Sequence, residues 1–107
     1  VDKSVLKGRM FTKYEHDTDF EVYVSELLQG DLIEGPAVVG IAKQIVSKGA
    51  DSLTEAQIKT FIDFGLSKGN YVEYCDRCAE EIPWSEMFLA LDDHYCAYCR
   101  HLMEKDD

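Results

Sequence analysis

Two C-x-x-C pairs carry the side-chain spacing in this chain that most directly dictates a chemistry. Cys75-Asp76-Arg77-Cys78 and Cys96-Ala97-Tyr98-Cys99 are separated by 17 residues. Two cysteines three apart turn both sulfurs toward one ion when the backbone makes a tight knuckle, and two knuckles supply the four corners of a tetrahedron. The set predicts one structural Zn²⁺ held by Cys75, Cys78, Cys96 and Cys99, with no cysteine left over. Iron uses the same four sulfurs, so the spacing leaves zinc and iron both open. Four thiolates close the coordination shell to water and substrate, which argues against a catalytic metal. Two disulfides would require an oxidising compartment, for which there is no signal, and a redox role for the second pair leaves the first pair without one. His94 and His101 lie near the ligands in sequence, but the set is complete without them. They are expected at the surface or hydrogen-bonded beside the ligands.

Charge narrows the function classes. The chain of 107 residues carries a formal net charge of -10 and has a pI near 4.6. A phosphate backbone is repelled by such a surface at most orientations, so direct nucleic-acid binding is disfavoured. Four thiolates on a divalent ion deepen the charge by about two units, because each ligand loses its proton. Residues 71–107 hold three Lys/Arg against ten Asp/Glu, whereas residues 1–70 hold eight against eleven. The cysteine region is therefore the acidic part. Apolar residues make up 46% of the chain, enough for a folded protein. No apolar run approaches the roughly 18 residues of a membrane span, and the stretch Val1 to Val5 lacks a signal-peptide core. The expected compartment is the cytoplasm, where paired cysteines more often hold metal than form disulfides.

The elements that must position the cysteines follow from periodicity. Val1 to Lys13 is a short basic arm with Lys3, Lys7, Arg9 and Lys13, read as a solvated or loosely docked terminus. From Asp17 or Thr18 as cap, Phe20, Tyr23, Val24, Leu27 and Leu28 recur at helical spacing as far as Gly30. Pro36 opens a second helix with Val38, Val39, Ile41, Ala42, Ile45 and Val46 over a broad apolar arc, ended by Gly49. Thr54-Glu55-Ala56-Gln57 is a capping box for a third helix through Ile58, Phe61, Ile62 and Leu66, stopped at Gly69-Asn70. Glu26, Glu55 and Asp63 have no partner set by spacing and are read as solvated helix-face residues, and His16 as a surface residue. The expected architecture is mainly α: a three-helix region over 1–70, then a four-cysteine zinc-finger module over 71–107. In that module Tyr71 to Tyr74 and Ala79 to Trp84 read as a short β-hairpin around the first knuckle. A terminal helix, Cys96 to Glu104, starts at the second knuckle. Hairpin, knuckle and helix together are treble-clef-like.

The segment Cys75 to His101, with its C-x2-C-x17-C-x2-C spacing, Glu80-Glu81-Ile82-Pro83 after the second cysteine and Ala90 before the last pair, resembles the zinc finger of the DksA/TraR family. That family comprises small bacterial, phage and plasmid regulators that reach RNA polymerase through its secondary channel. The resemblance covers about a quarter of the chain and implies Cys75, Cys78, Cys96 and Cys99 as metal ligands. The family usually has Gly where this chain has Ala79, and Arg where it has Glu86. Its acidic effector residues sit on a long coiled-coil hairpin, which the short helices expected here do not provide. GATA-type fingers have similar spacing, but their basic DNA contacts are replaced by Glu80, Glu81, Glu86, Asp92 and Asp93.

The resulting expectation is a small acidic zinc protein, not an enzyme, that acts by binding another protein as adaptor, inhibitor or regulator. A partner with a basic surface would suit the charge. Trp84, Glu86, Phe88, Asp92 and Asp93 are the candidate partner surface. No membrane and no small-molecule substrate are expected. The alternative is a transcription-linked regulator contacting RNA polymerase or DNA, with the arm from Lys3 to Lys13 as contact.

Overall fold

A computed structural model of the chain describes residues 3–11 and 19–105. Its helices are α1 (Lys3–Phe11), α2 (Asp19–Gln29), α3 (Pro36–Lys48), α4 (Glu55–Phe61), α5 (Trp84–Asp93) and α6 (Ala97–Lys105). A 3-10 turn, Ala50–Ser52, precedes α4, and a π-helical turn, Ile62–Leu66, continues it. The expected caps at Asp17 and Thr18, and His16, lie outside the described residues.

Local sequence explains the starts and stops. Pro36 occupies the first turn of α3, where its missing N–H leaves nothing unpaired. Gly49 closes α3 at φ +86° and ψ 160°, a region of backbone space essentially reserved for glycine. At α4 the capping box forms in both directions: the Gln57 N–H donates to Thr54 Oγ1 at 3.2 Å and the Thr54 N–H to Gln57 Oε1 at 2.9 Å. Gly65 lies close to Phe61 and Val38, so that a Cβ would sit only 3.3 Å from the Phe61 ring. It would also sit 3.4 Å from Val38 Cγ1 of α3, so glycine lets the π turn come close to α3.

Phe20, Tyr23, Val24 and Leu27 of α2 are buried with Val38, Ile41, Ala42 and Ile45 of α3 and with Ile58, Phe61, Ile62 and Leu66. Val46 is 42% exposed, so the apolar arc of α3 is narrower than its sequence suggests. Asn70 is a buried polar residue that ties three segments together. Its Nδ2 donates to the carbonyls of Leu32 and Gly65 at 3.0 and 2.9 Å, and its own carbonyl accepts the Tyr23 hydroxyl. Burial, with a smaller contribution from Glu26, raises the Tyr23 hydroxyl pKa well above its ordinary value.

Two expectations are corrected. The basic arm contains a helix, α1, with Leu6 and Met10 buried at 1% and 4% exposure. The expected β-hairpin is absent: no strand occurs among the described residues, and its place is taken by one antiparallel bridge, Tyr74 with Glu81. The fold is all-α. Pro83 has no N–H to extend the pairing beyond Ile82, and Trp84, Met87 and Ala90 recur at helical spacing, so the chain turns into α5. The Val72 N–H donates to the sulfur of Met87 rather than to a neighbouring strand. α5 packs on α2, and Trp84 lies against Phe20, Tyr23 and Tyr71 with ring centroids 4.8, 5.4 and 5.6 Å apart. The core that begins at Leu6 thus runs without a break to Cys75, Cys96 and Cys99.

Candidate metal centre

The first knuckle is built by backbone bonds around Cys75. Its N–H donates to the Glu80 carbonyl and its carbonyl accepts from Ala79, both at 2.9 Å. Ala79 has φ +62°, a left-handed turn that leads the chain out of the knuckle toward Glu80. The Arg77 N–H points at the Cys75 sulfur, 3.4 Å away. The second knuckle is the start of α6. Cys96 caps this helix, its carbonyl taking the Arg100 N–H at 3.0 Å and its sulfur the Cys99 N–H at 3.5 Å.

Four sulfurs converge from these knuckles and lie within 4.8 Å of one another. Cys78 Sγ and Cys96 Sγ, one from each knuckle, are 3.8 Å apart. A Zn–S bond of about 2.3 Å implies a tetrahedron edge of about 3.8 Å. The donor set and its spacing fit a metal ion bound by four thiolates. Cys75 and Cys99 are 2% exposed and Cys96 9%, while Cys78 faces solvent.

The environments of the thiols are unequal. Burial raises the Cys75 thiol, but N–H groups of Cys78, Cys96 and Arg77, with the Cys78 thiol, outweigh it and lower its pKa to about 6. Burial pushes Cys99 up to about 12, aided by the thiols of Cys96, Cys78 and Cys75. A bound divalent cation would displace the remaining protons.

The knuckles are fastened to each other and to α5. The Asp76 N–H donates to the His94 carbonyl at 2.9 Å, and His94 turns the chain out of α5 at φ +64°. Glu86 Oε1 accepts the Ala97 N–H at 2.7 Å, satisfying the first amide of α6. Asp93 forms a fork with Arg100, Oδ2 to Nε at 2.5 Å and Oδ1 to Nη2 at 2.9 Å, and also accepts the Tyr95 N–H at 3.0 Å. Arg100 holds the Asp93 carboxyl below its ordinary pKa, and Asp93 raises that of Arg100.

The residues of the candidate partner surface are therefore differently placed. Trp84 is buried and donates from Nε1 to the Arg9 carbonyl at 3.1 Å. Glu86 and Asp93 hydrogen-bond within the chain, Phe88 is half-buried, and Asp92 is exposed. His94 and His101 are exposed side chains. Arg9 has a structural role that the sequence did not suggest. Its guanidinium lies 4.7 Å from the Trp84 ring centroid and donates to Tyr71 Oη at 2.7 Å and the Ile82 carbonyl at 2.6 Å. Nothing in local spacing marks Arg9 or Arg100 for these contacts, which join residues distant in the chain or close a loop whose shape is set by the knuckle. Lys3 and Lys7 pair with Asp63 at 2.6 Å and Glu55 at 2.8 Å, giving these two carboxylates partners where the sequence suggested none.

No family model, curated protein or solved structure matches the chain. Among the described residues, no helix is long and apolar enough to cross a membrane.

Proposed function

We propose that this is a cytoplasmic, acidic zinc protein without catalytic activity, in which one structural Zn²⁺ on Cys75, Cys78, Cys96 and Cys99 shapes a surface for another protein. The carrying observation is the four-sulfur cluster with its 3.8 Å contact between knuckles. Zinc suits four thiolates in a closed tetrahedral site, and such a site stabilises the fold without activating water. The partner reading is supported by the net charge of -10, concentrated in residues 71–107. Outside the internal pairs, Asp76, Glu80 and Asp92 remain exposed near the knuckles, beside Tyr74 and Tyr98 at 54% and 70% exposure. A basic protein surface complements that combination. Of the arm that would serve the transcription-linked alternative, Arg9 is turned onto the chain's own aromatic and carbonyl groups and Lys3 and Lys7 form exposed ion pairs with Asp63 and Glu55, while Lys13 lies outside the described residues, so that support for the alternative is weaker.

Metal analysis of the purified protein should find one zinc per chain. A colourless protein distinguishes it from iron, whose tetrathiolate sites absorb in the visible. Affinity capture from nuclease-treated extract should retain a protein partner at low salt and lose it as salt rises. Tight binding to DNA in a gel-shift titration, or capture abolished by nuclease, would overturn the protein-partner reading.

A further inference from the structure

We infer that Asp93 and Arg100 are positioning residues for the metal, holding the second knuckle in its ligating shape and thereby setting the affinity of the site. The inference rests on the metal-centre reading above. Asp93 ends α5 and Arg100 lies in the first turn of α6, so their fork closes a ring around the segment that carries Cys96 and Cys99. Inside the ring, Asp93 Oδ1 takes the Tyr95 N–H and Arg100 Nη2 donates to the Tyr95 carbonyl at 2.9 Å. Both backbone groups of the residue before Cys96 are thus engaged by the same pair. The His94 carbonyl, also in the ring, accepts the Asp76 N–H and so registers this knuckle against the first.

The pair is suited to that role. The Arg100 and Asp93 side chains are 20% and 30% exposed, partly shielded from the solvent that would loosen a surface ion pair. A guanidinium fork fixes orientation as well as distance, which an ammonium does not. α5 is anchored independently through Trp84, Met87 and Ala90, so the Asp93 end of the ring is a fixed point. Partners that orient metal ligands typically change metal affinity by about 10- to 100-fold when removed.

The test compares Asp93→Ala, Arg100→Ala and Arg100→Lys with the wild-type protein. Zinc affinity is measured by chelator competition and the ligand geometry by the absorption of the Co²⁺ form. The alanine variants should bind zinc about 10- to 100-fold more weakly. Arg100→Lys should fall between, since it keeps the charge and loses the fork. All should keep the Co²⁺-thiolate bands, because the four sulfurs are intact, and the near-UV signal of Trp84, which belongs to the core. Should the alanine variants fail to fold, Arg100→Lys decides the point. Folded variants with wild-type zinc affinity overturn this inference alone, whereas a wild-type protein that takes up no metal overturns the metal centre as well.

Discussion

Ala79 sits at φ +62° immediately after the second ligand of the first knuckle. The left-handed turn leads the chain out of the knuckle, and a residue with a Cβ adopts it at a cost of about 1–2 kcal/mol. Glycine would adopt it freely while losing more entropy on folding, an offset of roughly 0.5–1 kcal/mol. Ala79→Gly is therefore expected to stabilise the metal-bound protein by roughly 0.5–1 kcal/mol, the difference between those two effects, seen as a higher denaturation midpoint with an unchanged slope. A lower midpoint would show that Ala79 contributes contacts that outweigh its backbone strain. The knuckle is also the place where sequence and structure agree most closely, because its geometry is local. The C-x-x-C tetrapeptide and the backbone bonds of Cys75 with Ala79 and Glu80 hold the two sulfurs close together. Glu86 and Asp93 illustrate the opposite. As acidic residues in an acidic module they read as surface, yet each accepts hydrogen bonds from the second knuckle, since a helix start and a tight loop leave amides that need acceptors.

At the scale of elements, the helices with strong internal signals were legible and those defined by their neighbours were not. The Thr54 box and the Phe20–Leu27 stripe announce α4 and α2 by themselves. α1 offers only Leu6 and Met10 as buried residues among charged ones, too narrow a stripe to distinguish a docked helix from a loose arm. α5 was obscured because the stretch around Pro83 resembles the end of a strand, while the helical recurrence of Trp84, Met87 and Ala90 starts one residue later. α1 is docked by the buried Leu6 and Met10 and by Arg9. Arg9 is over Trp84, bonds Tyr71 and Ile82, and lies 3.5 Å from a Glu81 carboxylate oxygen, so it joins the first helix to the metal-binding segment. Arg9→Ala removes charge-assisted hydrogen bonds and leaves the Ile82 carbonyl without that donor, a loss of about 2–3 kcal/mol. Trp84 fluorescence and denaturant unfolding would report it. Arg9→Lys should recover little, since an ammonium cannot stack on the indole and bond both acceptors at once. Full recovery by lysine would reduce the role of Arg9 to that of a charge.

For the whole molecule, the question is how far the metal's influence reaches. The cysteine segment and the helical region share a core, with Trp84, Met87 and Ala90 of α5 buried and α5 packed on α2. Removing the metal therefore need not unfold everything after residue 70. α6 has much less to hold it: from Ala97 to Glu104 only Cys99 is buried. The first knuckle is likewise bounded by a single bridge, Tyr74 with Glu81, which is too little pairing to persist alone. Without the ion, only protein contacts would hold the four converging sulfurs together. Chelation should accordingly produce a graded loss of order. Amide hydrogen exchange in the chelated protein is expected to lose protection across residues 75–79 and 96–105, while Tyr23, Val24, Ile45 and Met87 keep most of theirs. Cys78→Ser should give the same pattern, as it removes the one solvent-facing ligand without touching the buried core. If protection at Met87 vanishes together with that of α6, the metal supports α5 and the helical core as one cooperative unit. If α6 stays protected after chelation, the thiols are held by the protein and the ion adds little to the fold.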